Sequence, residues 1–197
     1  YMSPEALRAS DHRALKARRM GWDITDYGAE EFDDMGLFLF TTRNGLSEDL
    51  GRKSAMLYAE KIMISREKQL SPMHRHELKV EDIINKGGGS LVLELFKSDP
   101  AGGIDRESEF TVFCDGVPRV MPAGGLLKLD PGESVTLYPD TWHAFWGEGG
   151  DVLIGEVSTV NDDLTDNIFE KPIGRFSNVE EDEAPLHLLV SDYDSHL

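Results

Sequence analysis

The feature that most constrains the fold is a series of short apolar runs from residue 55 onward, separated by glycine, proline and other turn residues. The runs are "AMLYAEKIMIS", "GGGSLVLELFKS", "SEFTVFCDG", two within "GGLLKLDPGESVTLYPDTWHAFW", and "DVLIGEVSTV". Strand-length runs at this spacing are typical of antiparallel sandwiches and barrels rather than of alternating βαβ units. We therefore predict a mainly β, barrel-like protein.

The N-terminal segment has a different pattern. Residues 3–20, "SPEALRASDHRALKARRM", predict a helix in which Ser3 caps and Pro4 occupies the first turn. Its lysines and arginines are better explained as a solvated face than as a binding surface. After a segment of loop composition, the apolar run from Leu37 to Phe40 predicts a buried strand.

The length of 197 residues fits one domain. We expect a helical extension over residues 1–50 that packs on a barrel formed by residues 51–197. The C-terminal stretch "EEDEAPLHLLVSDYDSHL" is acidic and then apolar. It is expected either to return as an edge strand or to wrap the barrel.

Charge and cysteine content restrict the partners. The chain has 20 Lys and Arg against 37 Asp and Glu, and a net charge of −17 repels nucleic acid phosphates and anionic lipid surfaces. Cys114 is the single cysteine, so the simplest setting is a reducing one. The sequence has no apolar run long enough for a membrane span and no apolar leader. We predict a cytoplasmic protein without nucleic acid or membrane partners.

Two histidines in "SPMHRHELKVEDIINKGGG", residues 71–89, are spaced for metal binding. Side chains alternate along a strand, so His74 and His76 point the same way and can reach one ion. A turn near Glu77 would bring the face of Lys79 and Glu81 beside them, adding a carboxylate ligand. A solvent-exposed histidine pair is the alternative explanation.

A third histidine strengthens the metal hypothesis. His143 follows a Pro-containing turn and lies between Trp142 and Phe145, where an unpaired imidazole would be costly. Its alternative is a core histidine bonded to a backbone carbonyl. Nitrogen and oxygen ligands without thiolate suit Mn²⁺, Fe²⁺, Co²⁺, Ni²⁺ or Zn²⁺, and argue against a closed structural zinc site.

These residues match a known family pattern. His74-x-His76-x₄-Glu81-x₆-Gly88, followed by a Pro-Gly pair, a strand, and a proline before His143, resembles the two cupin motifs. Lys68 and Gly147 depart from it, since cupin motifs usually have glycine and asparagine there. The resemblance implies a small cupin β-barrel, also called a double-stranded β-helix or jelly roll, with His74, His76, Glu81 and His143 around a metal.

A narrower resemblance accommodates these departures. "HxHxxKxEDIINxGGG" and "EVSTVNDD", together with "DPGESVTLYPDTWHAFWGEG" and "GRFSNVEEDEAPLHLLVSDY", are similar to the D-lyxose isomerase family of the cupin superfamily. The similarity covers most of the chain from residue 57 onward. It implies a Mn²⁺-dependent homodimer that interconverts D-lyxose and D-xylulose, and often D-mannose and D-fructose.

Two residues are predicted to take part in catalysis. Glu156 shares a strand face with Val152 and Ile154, which would direct its carboxylate inward as a base acting on C1 and C2 of the sugar. Lys79 would move a proton to or from a sugar oxygen if a nearby divalent cation lowered its pKa. The alternatives are an outward glutamate and an exposed lysine.

Four residues are predicted to contact the substrate, a free monosaccharide. Asp163 and Asp166 would accept hydrogen bonds from the outer hydroxyls, or would cap a loop together with Asp162. Arg175 would donate to the sugar or pair with the following glutamates. Trp142 would form an apolar wall or belong to the core.

Two other functions share the predicted ligand set. The first is an oxygen-dependent cupin that uses Fe²⁺ or Mn²⁺ to cleave or decarboxylate a small acid. The second is a sugar-binding cupin without catalysis. The lack of a DNA-binding helix pair in the sequence argues against a sensor module.

Overall fold

Antiparallel β-sheet dominates the computed structural model, which describes residues 2–174 and 182–197. The strands of the described residues are β1 (Gly21–Thr25), β2 (Leu37–Arg43), β3 (Tyr58–Ser65), β4 (Ser71–Arg75), β5 (Glu81–Lys97), β6 (Phe110–Cys114), β7 (Val117–Met121), β8 (Gly125–Leu129), β9 (Ser134–Leu137), β10 (Thr141–Thr159) and β11 (Ile168–Phe169). The prediction of a mainly β chain is confirmed, and each predicted apolar run lies in or overlaps a strand.

Two long strands organise the sheet. The strand order is β1-β2-β3-β10-β5-β9-β6-β7, while β4 pairs with β10 and β11, and β8 pairs with β5. On one edge β10 pairs with β5 along its length; on the other its first part pairs with β4 and its second part with β3. Inward side chains of β3, β4 and β5 therefore converge on β10.

The glycines at 87–89 bend one long strand. The sequence pattern had indicated a turn between two strands. These glycines lie inside β5, opposite a register shift in β10 between Glu148 and Val152. Gly88 has φ +97°, and a Cβ there would lie 2.0 Å from the carbonyl oxygen of Asp151. Only glycine accommodates that close approach, and the paired strands can bend here without ending.

The N-terminal region differs from the predicted single helix and helical extension. It forms α1 (Pro4–Arg8), capped by Ser3 as predicted, and a separate α2 (Arg13–Ala17). The carboxylate of Asp11 accepts the backbone N–H of Arg13, a local bond that competes with continuous helix. Residues 1–50 also contribute β1 and β2, which join the same sheet as β3.

The C-terminal segment folds back on the N-terminal helices. Leu189 makes one parallel bridge with Trp22, and the chain ends in α3 (Tyr193–His196). Leu188 and Tyr193 pack with Leu7 in a small apolar cluster, separate from the main core. No helix of the described residues is long and apolar enough to span a membrane.

The main core lies directly against a polar cavity. It contains alternate residues of β5, such as Leu91 and Leu93, with Ile154 of β10. Ile83 and Met63 belong both to this core and to the wall of the cavity. The strands thus hold the cavity side chains on a close-packed base.

Candidate active site

Three histidines from neighbouring strands meet in one cavity. His74 lies on β4, His76 follows the end of that strand, and His143 of β10 pairs with His74 across the sheet. One ring nitrogen of each lies within 4.8 Å of those of the other two. The spacing along β4 and the antiparallel pairing of β4 with β10 therefore bring His143 to two histidines from a distant part of the sequence.

Each imidazole is oriented by a backbone carbonyl. The Nδ1 atoms lie 2.8 Å from the oxygen of Pro72 for His74, 2.9 Å from that of Asp166 for His76, and 3.1 Å from that of Thr141 for His143. Because a carbonyl oxygen only accepts, each Nδ1 carries a hydrogen, and Nε2 is the ring nitrogen available to face a shared ion. Burial, followed by the nearby His143 and His76, lowers the pKa of His74 well below its ordinary value.

Glu81, the first residue of β5, completes the group. Its Oε1 lies 3.2 Å from Nε2 of His143 and 3.4 Å from Nε2 of His76. Burial alone would raise the pKa of Glu81, but the Lys79 ammonium and the His76 ring hold it well below its ordinary value. The carboxylate is therefore charged, and one oxygen faces the imidazoles.

This arrangement fits a divalent cation. Among the described residues, the buried Nε2 of His76 and Oε1 of Glu81 have no hydrogen-bond partner. Such orphaned acceptors are costly unless something binds them. Neighbouring ligands about 2.2 Å from one octahedral ion lie roughly 3.1 Å apart, close to the 3.4 and 3.2 Å between Oε1 of Glu81 and the Nε2 atoms of His76 and His143. The three imidazoles form a possible metal site, and the Glu81 carboxylate lies beside it.

Lys79 bridges the metal-site residues and Glu156. Its Nζ lies 2.9 Å from Oε2 of Glu81 and 3.1 Å from Oε1 of Glu156, and all three side chains are almost fully buried. Burial by itself would lower the pKa of Lys79, but the charges of Glu156, Glu81 and Asp163 raise it above its ordinary value. The predicted lowering of the Lys79 pKa depends on a bound divalent cation; the surrounding carboxylates by themselves act in the opposite direction.

A second buried lysine, Lys61 of β3, was missed by the sequence analysis. Its Nζ lies 3.4 Å from the Glu156 carboxylate, 3.2 Å from Oδ1 of Asp163 and 2.7 Å from Oδ1 of Asn161. Asn161 Oδ1 also accepts from Lys79 Nζ at 3.4 Å. Glu156 therefore lies between two ammonium groups, and Asn161 joins them from the opposite side.

One cavity that opens to solvent is lined by the histidines, both lysines, Glu81, Glu156 and Asp163. Phe145 and Phe169 supply apolar wall, and β1 adds a polar wall of Asp23 and Thr25. The cavity therefore presents charged groups on one side and apolar surface on another.

The predicted substrate residues fall in different places. Asp163 lines the cavity, whereas the Asp166 carboxylate lies outside its wall and binds backbone N–H groups of residues 77–79. Asp162 caps its own loop through Leu164 and Thr165. Of the three aspartates, therefore, one faces the cavity and two shape loops.

Trp142 does not line the cavity. Trp142 points to the opposite face of β10 from His143, and the guanidinium of Arg75 lies over its ring, 5.5 Å from the centroid. The predicted sugar contact of Trp142 is replaced by this packing, because neighbouring residues of a strand face opposite sides. Arg175 lies outside the described residues.

The sequence contained a weak signal for Lys61. It lies at the period-two position of Ala59, Met63 and Ser65, all of which are buried. The other face of the same run carries Ile62 and Ile64, whose apolar character suggests that they should point inward. The polarity of the side chains therefore favours burial of the isoleucine face. Only the burial pattern observed along β3 identifies Lys61 as an inward residue.

The sequence is similar to known proteins over most of its length. A family model described as D-lyxose isomerase matches residues 1–193. A Serratia proteamaculans protein named D-lyxose/D-mannose isomerase is 51% identical over 177 residues, covering 89% of this chain and 76% of that protein. A protein of the same name from Escherichia coli O157:H7 is 46% identical over 177 residues, covering 89% and 77%.

Solved structures support the fold. L-ribose isomerase from Cellulomonas parahominis, without ligand, superposes with a TM-score of 0.55 at 17% identity, covering 88% of this chain and 90% of that one. L-ribose isomerase from Acinetobacter sp. DL28, in complex with L-ribose, gives a TM-score of 0.52 at 17% identity, covering 85% and 86%. These are cupin-fold proteins, so the predicted cupin fold is confirmed.

Proposed function

The chain belongs to the D-lyxose isomerase family and is therefore an isomerase, and we propose that it interconverts D-lyxose with D-xylulose and D-mannose with D-fructose. The observation that carries the proposal is that Lys79 contacts both Glu81 and Glu156. Glu81 in turn lies beside the three imidazoles. Aldose–ketose exchange moves hydrogen between C1 and C2, and one site must therefore combine a polarising group, a base and a proton donor.

We assign His74, His76, Glu81 and His143 as ligands of Mn²⁺, with Co²⁺, Ni²⁺, Fe²⁺ and Zn²⁺ as other candidates. When bound, such a cation supplies Lewis acid chemistry for a carbonyl oxygen. The Nδ1 hydrogen bonds of the three histidines fix Nε2 toward the common point. The second oxygen of Glu81 stays on Lys79, so the same carboxylate links the ligand set to the proton-transfer groups.

Glu156 is the proposed base. Its carboxylate removes the hydrogen from C2 of the aldose and returns it to C1, so one group serves both carbons on one face of the sugar. Lys79 donates a proton to O1 and then accepts the proton that leaves O2. Protonation of Glu156 removes one of the charges that raise the pKa of Lys79, making its ammonium a better donor when O1 requires a proton.

Lys61 holds Glu156 in place and balances charge. Its ammonium contacts the carboxylates of both Glu156 and Asp163. Both lysines are engaged by carboxylates, and Arg75 pairs with Asp140 and Glu77. Because these cations are already paired within the protein, the cavity suits a free sugar better than a sugar phosphate.

The predicted homodimer has a suitable surface on the outer face of the sheet. The outward side chains Ile62, Ile64, Leu153 and Val157 are each about two-fifths exposed on adjacent strands β3 and β10. Continuous exposed apolar surface on a sheet is typical of an interface. We place the contact between two copies there. A cytoplasmic location stays a prediction.

The function is tested by incubating the purified chain, loaded with Mn²⁺, with D-lyxose and separately with D-mannose under anaerobic conditions. We expect D-xylulose and D-fructose to form, and activity to disappear with a chelator and return with metal. Deuterium from solvent is expected at C1 of the ketose product, because a carboxylate base exchanges its proton. A ketose product without deuterium would favour hydride transfer. If neither D-xylulose nor D-fructose formed, the proposed function would be refuted.

A further inference from the structure

Asp166, in the segment after β10, holds the loop between β4 and β5. Its Oδ1 accepts the backbone N–H groups of Glu77 and Leu78, both at 3.0 Å, and its Oδ2 accepts that of Lys79 at 3.0 Å. Its backbone oxygen accepts Nδ1–H of His76 at 2.9 Å. One residue therefore contacts four consecutive residues of this loop.

These bonds are strong enough to set the loop conformation. The loop lies between the end of β4 and the start of β5, so its N–H groups have no ladder partners there. Asp166 is 7% exposed, and water therefore competes little for its carboxylate. A carboxylate that accepts three backbone N–H groups makes charge-assisted bonds, stronger than those between neutral groups.

The two ends of the held loop carry different functions. At one end, the bond to the Asp166 carbonyl orients His76 so that Nε2 faces Glu81. At the other end, the bond to Oδ2 fixes the backbone of Lys79, whose ammonium reaches Glu81 and Glu156. A shift of Asp166 would therefore move a metal-ligand candidate and the proton donor together.

We propose that Asp166 is a positioning residue that aligns His76 with the metal site and Lys79 with Glu156 without touching the sugar. The assignment rests on the proposed function for the roles of His76 and Lys79. It replaces the predicted substrate contact, because the Asp166 side chain does not line the cavity. Outer-shell partners of this kind commonly tune both metal affinity and rate.

Two variants separate positioning from general stability. Asp166→Asn retains Oδ1 for Glu77 and Leu78 but sets an amide NH₂ against the N–H of Lys79. Asp166→Ala removes all three acceptors. Asp162→Asn is the matched control, because its carboxylate also caps backbone in the same segment, at Leu164, yet makes no bond to residues 76–79 in the structure.

The experiment measures Mn²⁺ affinity by chelator competition, kcat and KM for D-lyxose, and the His76 Nδ1–H resonance of the metal-free chain by NMR. We expect Asp166→Asn to lower kcat and Mn²⁺ affinity, with Asp166→Ala weakening Mn²⁺ binding about 10- to 100-fold and broadening or shifting the His76 resonance. Asp162→Asn is expected to change none of these more than about twofold.

The outcomes can be separated from failure of the proposed function. If the unmodified chain binds Mn²⁺ but converts no sugar, the affinity and NMR measurements still test Asp166. Unchanged affinity, kcat and His76 resonance in Asp166→Asn would overturn the positioning role. The positioning role would also be overturned if Asp166→Asn and Asp162→Asn lost Mn²⁺ affinity and kcat to the same extent, with an equal fall in melting temperature. That result would indicate general destabilisation.

Discussion

The two faces of strands β3 and β10 reverse the usual distribution of polarity. On the inner face, Lys61 and Glu156 are each 3% exposed. On the outer face, Ile62 is 42% exposed, Leu153 42% and Val157 44%. A sheet with one solvated face normally buries its apolar residues and exposes its charges. The buried charges mark the candidate active site, and the exposed apolar side chains mark the surface on which we propose the dimer contact.

The two faces differ in what offsets the free-energy cost of burying charges inside and of exposing apolar side chains outside. Inside, two ammonium groups lie among the carboxylates of Glu81, Glu156 and Asp163, so each charge has an opposite charge in contact. Buried ions are tolerated when such pairing is complete. Outside, the described residues place no segment over the central isoleucines Ile62 and Ile64, which are 42% and 38% exposed. The charges of the inner face are paired within the chain, and the outer face is where we propose that a second copy binds.

Removing a ligand should have the largest effect on the inner face. His143→Ala is expected to lose bound metal and to lower kcat/KM by at least about a thousandfold, because the cation and its Lewis acid chemistry are lost together. Elemental analysis and initial rates measure the two losses. His187→Ala is the control, since His187 is exposed. Full metal content in His143→Ala would contradict its role as a ligand.

Glu156→Gln separates chemistry from metal binding. The amide has nearly the same shape but cannot take a proton from carbon, so we expect metal content near that of the parent and kcat about 10²- to 10⁴-fold lower. Glu148→Gln on the same strand is the matched control, because Glu148 is exposed and pairs with Lys128. Turnover near the parent rate in Glu156→Gln would assign the base to another group.

Lys61→Met tests whether the inner charges depend on one another. Methionine keeps much of the length of lysine but leaves Glu156 and Asp163 with one fewer counter-charge. We expect the free energy of unfolding to fall by about 3 kcal/mol and kcat by roughly tenfold. Denaturant unfolding and initial rates measure these changes. Lys128→Met removes an exposed lysine as a control, and equal behaviour of the two variants would show that the Lys61 charge is dispensable.

The sequence predicts the fold and the histidines better than the charges around them. Period-two spacing places His74 and His76 together, a turn near Glu77 adds Glu81, and the apolar setting of His143 adds the third histidine; the family resemblance implies the same four residues around a metal. Lys61 could not be recognised, because its run also fits the opposite face, with isoleucines inside. Asp166 illustrates the same limit, since a loop carboxylate can bind sugar or backbone and only the position of residues 77–79 decides. Long-range contacts, which local patterns do not encode, set both roles.

Substitutions on the outer face are expected to change assembly and to have the smallest effect on catalysis. Each copy has a net charge of −17, so electrostatic repulsion opposes association and burial of Ile62 and Ile64 must drive it. Ile62→Glu combined with Ile64→Glu places four further negative charges in one symmetric interface, two from each copy. Sedimentation equilibrium should give a mass of twice 22.0 kDa for the parent and 22.0 kDa for the double variant. We expect kcat to change by no more than a few fold, because these side chains point away from the cavity.

Val120→Glu is the matched control on a separate exposed strand, β7. A parent mass of 22.0 kDa would refute the dimer, whereas dissociation by Val120→Glu alone would move the interface to the β6–β7 hairpin.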